Sequence, residues 1–486
     1  MVDLSYHHGV KLVESADTPA IARVTRSGIT FVNGIAPDAD PAAFPVNYPT
    51  IIRSLPQAVA LGAAGTLLED VTTIFNEGGS WCIVNRVRDS ADAATLQNNL
   101  IGDPVARTGL YAALRAKALT GYQPRVMITA GDTGAWIENG VVSVALTSQG
   151  DNLTEAPVVT ATGGGNDPGK VLPTLQAVMG TGADADKVVS VKVITPGKKM
   201  SQAPVLTFTG GGADAGKVLP LATANVGDVA NPFVSALNAI TPKIRARAYI
   251  AGPNTTDAEA VRFRRTLNGR ILPIDPKVIR NVNGVPVTKP VAPVFAGVRA
   301  RVVASAEGFS GSVSNKIILT IDGVARTVSY PDDSNYLNEN QVATIINERG
   351  GFRTWGSRLA IDDPLWQFDS VRATADMINE SLEDLYFLYV DRKTTKGNFK
   401  MLIEDGNAAM RVFAKNEDIL GGSVWLSDQN DPTLMVNGKT LLGVEFEPVG
   451  LMEQIHITTH RNIVRYQLLI DEVNGAIEIG ALSVAA

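Results

Sequence analysis

The chain has one cysteine and four histidines in 486 residues. A lone Cys82 excludes an intramolecular disulfide and a thiolate metal cluster. Its neighbours in Trp81-Cys82-Ile83-Val84 are apolar, which points to a buried structural thiol. His456 and His460 have the i, i+4 spacing of a helical zinc pair, but Ile457 stands where a metalloprotease carries its general-base glutamate. That stretch is also β-branched and has no evident third ligand, so strand histidines are expected there. No Gly-x-Ser-x-Gly elbow occurs, leaving a serine nucleophile without support. Asp332-Asp333 and Asp362-Asp363 each border a proline and read as turns. The expectation is no catalytic residue, no cofactor and no metal.

Long apolar runs are missing as well. No uninterrupted stretch approaches the roughly 18–20 residues a membrane helix needs. The first thirty residues carry Asp3, Glu14 and Asp17, unlike a secretory signal. Charged residues make up 19% and the net charge is −6, with no basic excess for nucleic acid. With 45% apolar residues, disorder is not suggested. The reading is a protein made and kept in the cytoplasm, of two to four domains.

The clearest pattern present is a repeat. Val141 to Gly180 aligns without gaps on Val188 to Gly227 at an offset of 47, with 21 of 40 positions identical. Val-Val-Ser-Val, Ala-Pro-Val, Thr-Gly-Gly-Gly and Gly-Lys-Val-Leu-Pro recur in both copies. Short Val- and Thr-rich alternating runs bounded by Gly or Pro predict strands and tight turns, hence a small β domain or a pair of them. Gly164 to Val171 imitates a phosphate loop, G-x-x-x-x-G-K, and recurs at Gly211 to Val218. Val171 and Val218 replace the magnesium-binding Ser/Thr, and Pro173 and Pro220 preclude the following helix, so β-turns are expected.

The flanks read as α/β. Helices are predicted at 93–99, 110–119 and 258–268, and buried strands at 122–129 and 243–250. If those strands share a sheet, the repeats are an insertion between them. Asp322-Gly323 joins a hairpin over 317–329. Val371, Ala375, Ile378, Leu382, Leu385 and Tyr389 recur at helical steps, predicting a helix over about 368–389 with one core face and one solvent face. A second helix is predicted over about 397–415. Both ends read as extended: Tyr6 to Val13, then Arg465 to Ile470 and Ala476 to Ile479.

The order of landmarks resembles the contractile tail sheath family, in its shorter phage type. Tyr6-His7-His8-Gly9-Val10 matches the opening strand of that type. Phe44-Pro45-Val46-Asn47, Gly65-Thr66-Leu67 and Pro124-Arg125-Val126 follow in the family's order. The most specific match is Gly351-Phe352-Arg353-Thr354-Trp355-Gly356-Ser357-Arg358, followed by Asp362-Asp363-Pro364-Leu365. The similarity lies on both sides of residues 132–227 and stops where the repeats begin.

That resemblance implies an α/β (α+β) multidomain protein with a mixed-sheet core, extended N- and C-terminal arms and an inserted all-β domain. The implied division is an arm at 1–25, a discontinuous core at 26–131 and 228–290, the repeats at 132–227, a C-terminal domain at 291–464 and an arm at 465–486. It further implies a homo-oligomer of stacked hexameric rings around a tail tube protein, with baseplate and tail terminator partners, no nucleic acid and no membrane insertion. The location would be the virion, assembled in host cytoplasm; the alternative is a tailocin or secretion-type sheath. Inter-subunit arms would use Tyr6, His7, His8, Val10, Leu12, Tyr466, Leu468, Ile470, Ile477 and Ile479. Phe352, Arg353, Trp355 and Arg358 would be structural, and Lys400, Arg411 and Lys415 would face the tube.

Overall fold

Parallel strands buried on both sides are written as near-continuous apolar runs whose successive residues serve opposite faces. A computed structural model of the chain describes residues 28–78, 81–275, 277–282, 285–301, 344–348, 351–361, 363–452, 455–459, 466–467 and 469–475. Its main sheet contains β1 (Thr30–Ile35), β2 (Thr50–Ile52), β3 (Cys82–Val87), β4 (Val126–Thr129), β11 (Arg247–Ala251) and β12 (Ile271–Ile274). The spatial order is β12-β11-β4-β1-β3-β2. Every pair is parallel except β2 with β3.

Alternation divides the strands between two cores. Phe31, Ile83, Met127, Ala248, Ile250 and Ile271 pack with Leu100, Phe233, Leu237 and Phe263 from the helices Ala93–Ile101, Pro232–Ile240 and Asp257–Arg265. Val32, Val84, Val126, Ile128, Tyr249 and Leu272 pack on the other side with Val71 and Ile74 of helix Leu67–Asn76 and Phe295 and Val298 of helix Ala292–Arg301. Cys82 is buried in this second core. The helix expected over 110–119 instead begins as a 3₁₀ turn, Gly109–Arg115, and is α-helical only over Ala116–Thr120. Leu110, Ala113 and Ala116 are all buried, and a three-residue period stacks them in line.

The strands expected near 126 and 247 are direct neighbours, with Arg247 opposite Val126. Between them in sequence come β5 (Trp136–Ser148), β6 (Val158–Gly163), β7 (Thr174–Met179), β8 (Val188–Thr195), β9 (Pro204–Thr209) and β10 (Leu221–Ala230). These pair with one another as β5–β10, β6–β9 and β7–β8, all antiparallel.

Beyond the sheet, β13 (Val278–Val282) pairs with β14 (Val285–Lys289), and β15 (Thr344–Glu348) with β16 (Gly351–Trp355). The predicted long helices run over Asp369–Phe387 and Lys396–Lys415. They pack with β17 (Ile419–Leu426) and β18 (Leu442–Pro448) around Ile378, Leu382, Leu385, Met410, Phe413 and Val424. The hairpin expected over 317–329 lies outside the described residues.

Residues 451–486 form a separate unit. Within it, residues 466–467 and 469–475 are helical, which corrects the extended reading of 465–470. Tyr466, Leu469, Ile470 and Val473 recur at three- and four-residue steps, and Gln467 donates from Nε2 to Asp471 Oδ1 at 2.9 Å. The period overrides the β-leaning composition. His456 to Thr459 is irregular rather than strand.

Candidate functional site

The strongest polar construction lies where the Asp369–Phe387 helix meets the sheet. Asp369, Asp376, Glu380 and Glu383 follow at intervals of seven, four and three, so they share one helix face. Ile378, Leu382 and Leu385 occupy the opposite face, on the core of the two long helices. The carboxylate face, expected to be solvated, is instead buried: Asp369 is 0% exposed, Asp376 2% and Glu380 6%.

What faces it is a row of arginines set at one edge of the sheet. Arg125 precedes β4, Arg247 begins β11 and Arg270 precedes β12, and because these adjacent strands are parallel their starts align. Arg247 Nε lies 2.7 Å from Asp369 Oδ1, and Arg299 Nε lies 3.2 Å from Asp369 Oδ2. Tyr249 Oη also donates to Asp369 Oδ1, at 3.1 Å. Arg270 grips both oxygens of Asp376. Arg125 pairs with Glu380, which Lys117 also reaches at 3.3 Å. Arg245 makes a two-point pair with Glu383 nearer the surface.

Burial sets the electrostatics. It pulls the Arg125 guanidinium down to about 10, still cationic at neutral pH. For Arg247 burial pulls the same way, but Asp369, Tyr249 and Asp376 together outweigh it and the net shift is upward. The hydrogen bond from Arg245 holds the Glu383 carboxyl below its ordinary value. Such a row fixes geometry: removing one partner strands an opposite charge in a dry site.

Arg358 belongs to the entry of that helix. Its guanidinium lies 4.9 Å over the Phe368 ring, and its Nη1 donates to Gln367 Oε1 at 2.8 Å. Ala360 N donates to Ile271 O at 2.6 Å, and Asp369 N to Ser357 O at 2.8 Å, so this segment is sewn between β12 and the helix start. Phe352, Arg353 and Trp355 lie on β16 in register with Asn347, Ile346 and Thr344; their side chains fall outside the described residues. Asp363 accepts from Leu365 N at 2.9 Å, a turn as expected.

Lys400, Arg411 and Lys415 are exposed on one side of their helix, opposite Gly406, Ala409, Met410 and Phe413. Arg411 donates to Glu404 at 2.6 Å. Among the described residues β17 and β18 pair only with each other. Beside them a groove of about 680 Å³ is lined by Leu382, Phe387, Val390, Leu442 and Val444. Tyr6, His7, His8, Val10, Leu12, Leu468, Ile477 and Ile479 lie outside the described residues, while Tyr466 and Ile470 sit in the helical stretch noted above.

The phosphate-loop imitation has the opposite polarity to a phosphate site. Lys170 Nζ donates to Gly163 O at 2.9 Å and Gly165 O at 2.5 Å, and Lys217 Nζ to Gly212 O at 2.6 Å. Carbonyls, not amides, converge there, and each lysine ties its own turn. Among the described residues no three of His, Cys, Asp and Glu come together as a metal ligand set, and no helix is long and apolar enough to cross a membrane.

No family model matches the chain. It is 23% identical over 466 residues to the tail sheath protein of Escherichia phage P2, covering 93% of this chain and 94% of the relative. Against the major tail sheath protein of Serratia phage KSP20 it is 22% identical over 489 residues, covering 97% and 99%. Along nearly its whole length the chain is similar to phage tail sheath proteins. Its fold agrees: the sheath of an extracellular contractile injection system, in the contracted state, superposes with a TM-score of 0.55 over 95% of this chain and 99% of that one, at 10% identity. Within this fold the arginine row joins the sheet to the Asp369–Phe387 helix. Two signals for it stood in the sequence, arginines flanking apolar strand runs and carboxylates in helical register. Each looks like ordinary solvated edging until the helix and sheet are brought together.

Proposed function

We propose that this sheath subunit polymerises as stacked six-fold rings around a tail tube, between a baseplate and a tail terminator, and contracts to drive the tube through a host envelope. It acts as a mechanical rather than catalytic part, in a virion assembled in the host cytoplasm. The observation carrying this reading is similarity to phage tail sheaths along nearly the whole chain. The work comes from the free-energy difference between two packings of the same subunits, which requires links that survive the change.

Those links are assigned to the ends, about residues 5–13 and 465–479, donated to a neighbour's sheet. β17 and β18 suit the receiving role, with free edges among the described residues and a groove alongside whose lining mixes Phe387, Val390, Leu442 and Val444 with Arg245, Glu383 and Asp384. Each added backbone bond contributes only about 0.5–1.5 kcal/mol, but several act together. Lys400, Arg411 and Lys415 are assigned to the tube face, residues 132–227 to an outward domain inserted in the core, and Phe352, Arg353 and Trp355 to structural roles.

Deleting residues 1–13 tests the links. Subunits should fold, yet sheaths built from them should not contract as a unit; normal contraction would refute the arm assignment. Deleting 132–227 should leave assembly on tubes intact, and failure to assemble would remove the outward assignment.

A further inference from the structure

Tandem repeats ordinarily stack by translation, each copy against the next in the same sense. The two copies here are related differently. β7, the last strand of the first copy, pairs with β8, the first of the second, while β10, the last of the second, returns to β5, the first of the first. The registers coincide at the offset of 47: Leu175, Ala177 and Met179 face Val193, Val191 and Val188, and Ala222, Ala224 and Val226 face Leu146, Val144 and Val141. Even the irregularities match, between Thr174/Leu175 and Val178/Met179 in one pair and Leu221/Ala222 and Asn225/Val226 in the other.

The connecting hydrogen bonds obey the same exchange. Val141 N donates to Pro196 O at 2.7 Å, and Val188 N to Gln149 O at 3.0 Å. Leu153 N donates to Asp186 O at 2.9 Å, and Met200 N to Asn139 O at 3.1 Å. At the centre β6 pairs with β9, and Thr160 stands opposite its own counterpart, Thr207. All three strand pairs therefore join one copy to the other about a local two-fold axis through Thr160 and Thr207. Mutual exchange, in which i meets j and j meets i, is the mark of an isologous dimer interface.

We propose that the 47-residue repeat is a self-complementary association element, whose partner is another copy of itself. In tandem it closes on its twin within one chain, because a short connection gives the twin a high effective concentration. The same strand bonds are then spent inside the subunit rather than between outward faces of neighbours. A chain with a single repeat would close on a second copy of the chain. The inference rests on strand register alone and is independent of how the sheath assembles.

The test removes residues 141–187, joining Gly140 to Val188 so that β8 takes the place of β5. β9 then lacks β6, and its remaining partner is β9 of a second copy, centred on Thr207. Adding Thr207→Cys should give a reducible disulfide dimer, since paired antiparallel residues lie about 4.5–5.5 Å apart, within reach of a disulfide. Val205→Cys in the same background should not, because position 205 faces 209. A folded single-repeat chain that stays monomeric, or cross-links equally at both positions, overturns the proposal. A second variant keeps both repeats but replaces residues 141–180 by the sequence of 188–227. Self-complementarity requires this chain to resist proteolysis between 136 and 230 as the parent does; cleavage there under conditions that spare the parent also overturns it.

Discussion

Asp369 answers Arg247, Arg299 and Tyr249 at once while fully buried. Asp369→Ala leaves two arginines in a dry site, and a loss of about 3–5 kcal/mol is expected in urea denaturation of the unassembled subunit. Glu404→Ala removes the carboxylate of an exposed pair and should change stability by under about 1 kcal/mol. Equal effects would show that burial does not govern these pairs. Glu383 gives the pH dependence. Its folded pKa is depressed by Arg245 from an ordinary 4.5, so its contribution is complete above the unfolded value and is lost as pH falls through the folded one. Glu383→Gln should flatten the acid limb of stability below about pH 4.5 without changing the neutral plateau by a comparable amount.

At the level of elements, the Asp369–Phe387 helix shows what a sequence can and cannot disclose. Its existence and apolar stripe follow from Val371, Ile378, Leu382 and Leu385, but periodicity is blind to what covers the other face. Paired charges look the same in sequence whether solvated or buried. The strands near 126 and 247 were legible as apolar runs, but their adjacency was not, since two strands of a six-stranded sheet need not be neighbours. The repeats were visible at once, whereas their two-fold exchange was not, since translation and rotation are equally compatible with an offset of 47. The stretch at 466–475 misled because its β-leaning residues also fit a helical period. At the base of the repeats, Arg262 bonds Glu138 and Asp228, each at 2.7 Å, and lies 4.9 Å over Trp136. It thereby holds both entering strands against helix Asp257–Arg265. Arg262→Ala should accelerate proteolysis at the junctions near 136 and 230 several-fold while leaving the main sheet protected; unchanged cleavage would show that the strands are held by other contacts.

For the whole molecule, similarity along nearly its full length to phage tail sheaths supports the assembly proposed above. A buried ionic seam suits a subunit that must move without coming apart, because each pair tolerates little displacement before a charge is stranded. In the function proposed above, bistability would belong to contacts between subunits, and continuity to the terminal arms. The most direct measurement is negative-stain microscopy of the purified full-length chain at high concentration, alone and with tail tubes. Stacked six-fold rings or tubes are expected; a protein that stays strictly monomeric and fails to assemble on tubes would contradict the account.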